Sequence, residues 1–131
     1  MQLKVSTDYA IRIVLYTAIT RKITTSKELS DKLGIPQSIV FKLGKKLSDN
    51  GIISITTGVQ GGFLLKKRPE DISLFDIIDI FEPTTKINRC LEEDKYCSRF
   101  ATEDCPVRKV YCRMQRRFEN DLKNTSIKEL L

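Results

Sequence analysis

A chain of 131 residues with 23 Lys/Arg, 17 Asp/Glu and no histidine carries a formal charge of +6; the length suits one domain, or a small domain plus an oligomerisation element, and needs no disulfides to fold. Without histidine the commonest general base, the imidazole metal ligand and all His-dependent triads are excluded, so any metal site must rest on thiolates and carboxylates, and with no phosphate-cradling glycine loop the chain reads as a non-enzyme. No apolar run approaches the roughly 20 residues that span a bilayer, and MQLKVSTDYA lacks a signal-peptide pattern, so a cytoplasmic location away from membranes is expected.

From Thr7 to Thr20 the positions Tyr9, Ala10, Ile13, Val14, Thr17 and Ala18 recur three and four apart, which predicts an amphipathic helix capped by Ser6 or Thr7. Thr25 and Glu28 stand in capping-box spacing ahead of Leu29 and Leu33, and Gly34 stops this short helix. Pro36 at a first helical position opens a third helix with Ile39, Val40, Leu43 and Leu47 on one face, ended by Asn50-Gly51. Two helices about a tight glycine turn suggest a helix-turn-helix.

The β-branched run Ile52–Thr57 predicts a strand, Gly58-Val59-Gln60-Gly61-Gly62 a turn, and Phe63-Leu64-Leu65 the returning strand. A hairpin directly after the helix pair is the wing of a winged helix, and its exit Lys66-Lys67-Arg68 suits a phosphate backbone. Residues 1–68 hold twelve Lys/Arg against four Asp/Glu, whereas residues 69–131 hold eleven against thirteen. The basic half is therefore the nucleic-acid candidate, the plain alternative being a lysine-rich solvated surface. Within it Pro36 positions the recognition helix, Gln37 and Ser38 offer hydrogen bonds to base edges or phosphates, and Lys42, Lys45 and Lys46 supply charge, joined by Gln60 and Lys66 of the wing. Phe41 either meets a thymine methyl or packs within the domain.

Ser73 and Asp76 have capping-box spacing before Leu74, Ile77, Ile78 and Phe81, giving a fourth helix that stops at Pro83. Thr84 to Asp104 shows no period and reads as a loop. Pro106 opens a long helix on which Val107, Val110, Tyr111, Met114, Phe118 and Leu122 form a stripe, while Arg108, Lys109, Arg113, Arg116 and Arg117 fall largely outside it. With little intramolecular core left to cover, that stripe suits a homodimer, which also matches the palindromic double-stranded DNA sites that helix-turn-helix proteins read. The expected architecture is mainly α with a small β-hairpin. It comprises a winged helix-turn-helix over 1–83, a cysteine-bearing sensor loop over 84–104, and a dimerisation helix with its tail over 105–131.

All four cysteines, Cys90, Cys97, Cys105 and Cys112, fall near this loop, separated by six, seven and six residues. Zinc sites favour paired C-x2–4-C knuckles, and none is present. A Cys105–Cys112 disulfide would have to span about 10 Å of regular helix, beyond the ~7 Å that bridged α-carbons tolerate. Other pairings within the loop stay open. An iron–sulfur cluster needs soft thiolates on a segment able to wrap it and accepts wide gaps.

The stretches MQLKVSTDYAIRIVLYTA, SKELSDKLGIPQSIVFKLGKKLSDNGII, GVQGGFLL and ISLFDIIDIFE, followed by cysteines ahead of the last helix, together resemble the Rrf2 family of bacterial winged-helix regulators over nearly the whole chain. TDYAIR and FKLGKKL look closer to its nitric-oxide-sensing repressor branch. The resemblance implies a homodimeric DNA-binding repressor carrying an interfacial iron–sulfur cluster, of two-iron or four-iron form, that senses nitric oxide, redox state or iron–sulfur status. It implies ligands at Cys90, Cys105 and Cys112, which match the family's cysteines best, and a fourth from Asp8 in the first helix of the other subunit. Cys97 is extra, as a ligand in place of Asp8, a spare thiol or a redox partner. Thr57 stands where the family's wing usually carries arginine. The alternative is a metal-free regulator that switches through thiols and disulfides.

Overall fold

In the computed structural model, which describes residues 1–100 and 102–131, seven elements follow in order: α1 (Val5–Thr20), α2 (Ser26–Leu33), α3 (Gln37–Asp49), β1 (Ile53–Thr56), β2 (Gly62–Leu65), α4 (Leu74–Phe81) and α5 (Pro106–Asn124). Short 3-10 turns lie at Pro69–Asp71, Arg89–Leu91 and Ile127–Leu130. The second falls inside the expected loop 84–104, of which residue 101 lies outside the described residues.

The buried face of α1 is the expected one, with Ala10, Ile13, Val14, Thr17 and Ala18 in the interior. Its start is not. The helix begins at Val5 with Lys4 as N-cap, and Lys4 makes no side-chain cap bond. The missing acceptor arrives from distant sequence: Glu82, the C-cap residue of α4, takes the Lys4 N–H at 2.7 Å and the Thr7 hydroxyl at 2.7 Å. Thr7 is therefore a buried residue inside the helix, and neither it nor Ser6 is the cap. A carboxylate here also faces the positive end of the helix dipole.

Burial pushes the Glu82 pKa up, but the Thr7 hydroxyl and Lys4 amide together outweigh it and hold the carboxyl below its ordinary 4.5. A folded pKa below the unfolded one gives stability that is full above about 4.5 and fades as pH falls through the folded value. Glu82→Gln should thus cost about 0.3–1 kcal/mol at neutral pH. The gap between the two proteins, read by urea unfolding, should close on acidification. A gap that stays constant to pH 3 would remove the charge from this explanation.

At α2 the Thr25 side chain accepts the Glu28 N–H at 3.1 Å, but the Glu28 carboxylate takes the Tyr16 hydroxyl at 3.0 Å rather than returning to Thr25. Half of the predicted capping box is built, and the other half pins α2 to α1. Gly34 ends the helix at φ 66, where a side chain would be strained. Pro36, expected as the first helical residue, is instead the N-cap of α3, which starts at Gln37, and its carbonyl receives the Ile39 and Val40 amides. Ser73 and Asp76 form the complete reciprocal box at α4.

Strands β1 and β2 pair antiparallel from Ile53↔Leu65 to Thr56↔Gly62. Thr24, in the α1–α2 connection, adds a one-residue third strand: it donates to the Phe63 carbonyl at 2.9 Å and accepts the Phe63 N–H at 2.8 Å. Phe63 is 1% exposed and presses on α3 at Gly44, where an added Cβ would stand 2.5 Å from the ring. That glycine, though inside a helix, lets the recognition helix close on the wing. The tail beyond α5 also returns to the core. Leu74 N–H bonds the Thr125 carbonyl at 2.9 Å, Ile127 N–H bonds the Ile72 carbonyl at 2.8 Å, and the Ile127 side chain is fully buried.

Candidate DNA-binding face and cysteine site

Val40, Leu43, Gly44 and Leu47 turn one side of α3 inward, which leaves Ser38, Lys42 and Lys45 as an exposed row on the opposite side at four- and three-residue spacing. Gln37 and Phe41 flank that row on the wing side. They line a cleft of about 530 Å³ with Ser26 and Lys27 of α2 and with Ile55 and Val59 of the hairpin. The Gln37 side-chain amide donates to Ser26 Oγ at 2.9 Å, so its orientation is fixed by α2. Of its two expected roles Phe41 takes the packing one, its ring meeting Phe63 edge-on at 6.2 Å, while 54% of it remains exposed on the face of the cleft.

Lys46 lies on the other flank, its ammonium 5.2 Å from the Phe81 ring centroid, where it joins α3 to α4. In the wing, Gln60 and Lys66 are exposed, but the tip from Thr57 to Gly61 carries no basic residue. At the basic exit Arg68 is held by Asp71 at 2.8 Å and Glu70 at 3.5 Å, which raise its pKa further. Sequence reasoning missed Ser26 and Lys27 as part of this face; the signal was Thr25, whose capping role aims the start of α2 into the same cleft.

The four cysteines are all half-buried. Two of them are tied to one arginine in the first turn of α5. Cys105 is the N-cap of that helix and its thiol accepts the Arg108 N–H at 3.4 Å, while the Arg108 Nε donates to the Cys90 carbonyl at 3.1 Å. Cys112 is four residues beyond Arg108 and therefore one turn along on the same side. The Cys90 sulfur itself accepts the Asn88 amide at 3.1 Å. Cys97 stands in a separate turn closed by the Lys95–Glu103 ion pair at 3.1 Å and by Thr102 donating to the Lys95 carbonyl at 2.9 Å. Arg89 beside Cys90 pairs with Asp94 and lowers that carboxyl's pKa. Asp8 lies in the first turn of α1 and bonds Arg12 at 2.9 Å. Among the described residues no three cysteine or carboxylate groups are already drawn together to hold a metal ion.

The predicted stripe of α5 divides into two. Val107, Val110, Met114 and Phe118 remain 39–53% exposed, whereas Tyr111 and Leu122 are half-buried against the rest of the chain. The one buried residue of the helix is polar, Gln115, which periodicity in hydrophobicity could not reveal. Its position in one row with Arg108, Cys112 and Glu119, seven, three and four residues away, was the only available signal.

An amphipathic helix pair, a hairpin wing and a cationic outer row on the second helix define a winged helix-turn-helix DNA-binding protein. The sequence pattern of the Rrf2 family, described as an iron-dependent transcriptional regulator, matches residues 3–131, and the chain belongs to that family. It is thus a DNA-binding transcriptional regulator and not an enzyme. A protein of Aquifex aeolicus named as an HTH-type transcriptional regulator is 31% identical over 124 residues, which cover 94% of this chain and 86% of that one. The HTH-type transcriptional regulator NsrR of Shouchella clausii is 29% identical over 96 residues, 72% of this chain and 64% of that one. Among solved structures, the global cysteine regulator CymR of B. subtilis superposes with a TM-score of 0.82 at 20% identity, covering 99% of this chain and 95% of that one. IscR of T. potens gives 0.77 at 17%, covering 99% and 85%. These two likenesses carry the fold. No helix of the described residues is long and apolar enough to cross a membrane.

Proposed function

We propose that this regulator is a repressor of the NsrR type, which binds a palindromic operator as a homodimer and whose grip is set by an iron–sulfur cluster. The observation that carries the reading is that Arg108, at the start of α5, ties the Cys105 thiol to the Cys90 backbone, with Cys112 one turn along the same side of the helix. The donor set fits such a group: soft thiols, no competing imidazole, and a helix N-terminus that favours thiolate charge. Cys90, Cys105 and Cys112 would hold it, with Asp8 of the partner subunit or Cys97 as the fourth ligand. A bound cluster supplies a centre that reacts with nitric oxide or oxidants and is lost on iron shortage. The exposed row Val107, Val110, Met114 and Phe118 supports pairing of two α5 helices, which would link the cysteine site to the spacing of two α3 helices. In this reading residues 1–83 grip the operator, 84–104 sense and 105–131 join the copies.

Operator contact is assigned to Pro36, Gln37, Ser38, Lys42 and Lys45, with Gln60 and Lys66 from the wing. Lys46, engaged with Phe81, contributes charge at the edge of the face. Replacing Lys42 and Lys45 by alanine should weaken binding at all sequences alike and reduce the slope of log K against log salt by about 3.6 for the dimer, or 0.9 for each of four phosphate contacts. An unchanged slope would displace the face. The cluster itself is tested by anaerobic purification and iron–sulfide reconstitution, followed by visible and Mössbauer spectra and operator binding with and without the cofactor. A second reading is a metal-free regulator switching through disulfides, which needs only two thiols to come together at a time, and among the described residues no three donor groups are already assembled. A protein that stays colourless after reconstitution but alters its DNA affinity on oxidation would establish it.

A further inference from the structure

We propose that Gln115 is a positioning residue that fixes Cys90 against α5, and that Arg108, Gln115 and Glu119 form one latch on the entry of the sensor loop; this rests on the reading of Cys90 as a cluster ligand. Gln115 is 5% exposed. Its Oε1 accepts the Ile87 N–H at 2.8 Å and its Nε2 donates to the Thr85 carbonyl at 2.9 Å, so one side chain grips both backbone groups of a three-residue segment. The same Nε2 donates to Glu119 Oε1 at 3.0 Å, and that oxygen also takes Lys86 Nζ at 3.1 Å. Residues 85, 86 and 87 are therefore held from one side by residues 115 and 119 of α5. The segment then runs back along the helix for about 10 Å, the rise between residues 115 and 108. There Arg108 catches the Cys90 carbonyl at 3.1 Å. Between these two anchors lie only Asn88 and Arg89, too few residues for Cys90 to wander.

The chain has strong reason to keep this arrangement. A buried amide without partners forfeits its hydration with nothing in return, and Gln115 escapes that cost only while the loop entry stays docked. Both of its polar atoms are used, and no buried side-chain nitrogen or oxygen among the described residues lacks a partner. A leucine at this place would serve packing equally well. The amide is what specifies the register of Thr85–Ile87, and hence the height at which Cys90 stands relative to Cys105 and Cys112.

The test uses Gln115→Met, close in shape and without the amide. In the cluster-free protein, alkylation of Cys90 by iodoacetamide, followed by mass spectrometry with Cys112 of the same chain as internal reference, should accelerate about 10-fold, and the protected Ile87 amide should exchange faster. In the reconstituted protein the cluster should be lost to an iron chelator about 10-fold faster, within the range by which supporting residues of metal sites act. A general loss of stability would speed both cysteines together and leave their ratio unchanged. Glu119→Gln, which spares the Gln115 bonds to Thr85 and Ile87, should give a smaller change in the same ratio and serves if Gln115→Met does not fold. An unchanged Cys90 to Cys112 ratio in the variant that folds would overturn the proposal. If the wild-type protein takes up no cluster, the cofactor reading fails, and the alkylation ratio still decides the role of Gln115.

Discussion

Phe63→Ala is expected to lower the unfolding free energy by about 3–5 kcal/mol, among the largest effects of any single truncation in this chain. The ring is 1% exposed and belongs to the wing, yet two residues of α3 pack on it and the backbone of the same residue holds the α1–α2 connection. Phe41 of the recognition helix packs on its edge at 6.2 Å and an interplanar angle of 61°. Gly44 leaves the gap that the ring fills, and Thr24 exchanges two backbone bonds with the same residue. Alanine would open a cavity between α3 and the hairpin that neither can close without breaking the β1–β2 register. The readout is the urea midpoint at unchanged slope, which reports stability and not compactness. Operator affinity should fall with it even under conditions where the variant remains folded, since Phe41 and the wing cleft lose their common support. A loss of less than about 1 kcal/mol would mean that the wing is attached elsewhere.

Cys105→Ser is expected to abolish cluster uptake while leaving α5 intact. Serine is a strong N-cap and would accept the Arg108 N–H now taken by the thiol, but its oxygen is a poor substitute for a soft ligand. Iron content and visible absorption after anaerobic reconstitution should drop to background, with helical content unchanged. Cys90→Ala and Cys112→Ala should behave alike in iron content. Cys97→Ala and Asp8→Ala then separate the candidates for the fourth position, because only the true ligand should shift the spectrum when removed. Retention of a full cluster in Cys105→Ser or Cys112→Ala would break the ligand assignment. Asp8 is bonded to Arg12 at 2.9 Å, so its recruitment would require exchange of that exposed partner, a small cost for a surface pair.

The helices were legible because their buried faces repeat every three to four residues and their ends carry local signals: Ser73 with Asp76, Gly34 and Pro106 all act within a few positions of the boundary they set. What escaped is non-local. The start of α1 is fixed by Glu82, 75 residues from Thr7, and no pattern inside the first helix announces it. Thr24 becomes a strand residue only because Phe63 faces it. Glu28 has the right spacing for a capping box, but Tyr16 competes for its carboxylate and takes it. In the cysteine site, spacing alone could not relate Cys90 to Cys105; Arg108, on the residues between neither, makes the connection through space. The division of the α5 stripe into an exposed row and a packed row was hidden for a similar reason, since Tyr111 and Leu122 look like Met114 and Phe118 until α4 and the loop are in place.

Ile127 gives the last helix an unequal pair of ends. Beyond Asn124 the chain is tied to the Ile72–Leu74 edge and plugged into the core, whereas the Cys105 end is joined to its surroundings through polar contacts with a loop. A rod clamped at one end and lightly held at the other turns a small push at its free tip into a tilt about the clamp. The clamp here is a side chain in the same core as Val40, Leu43 and Leu47 of the recognition helix, so any tilt of α5 would be passed to the seat of that helix.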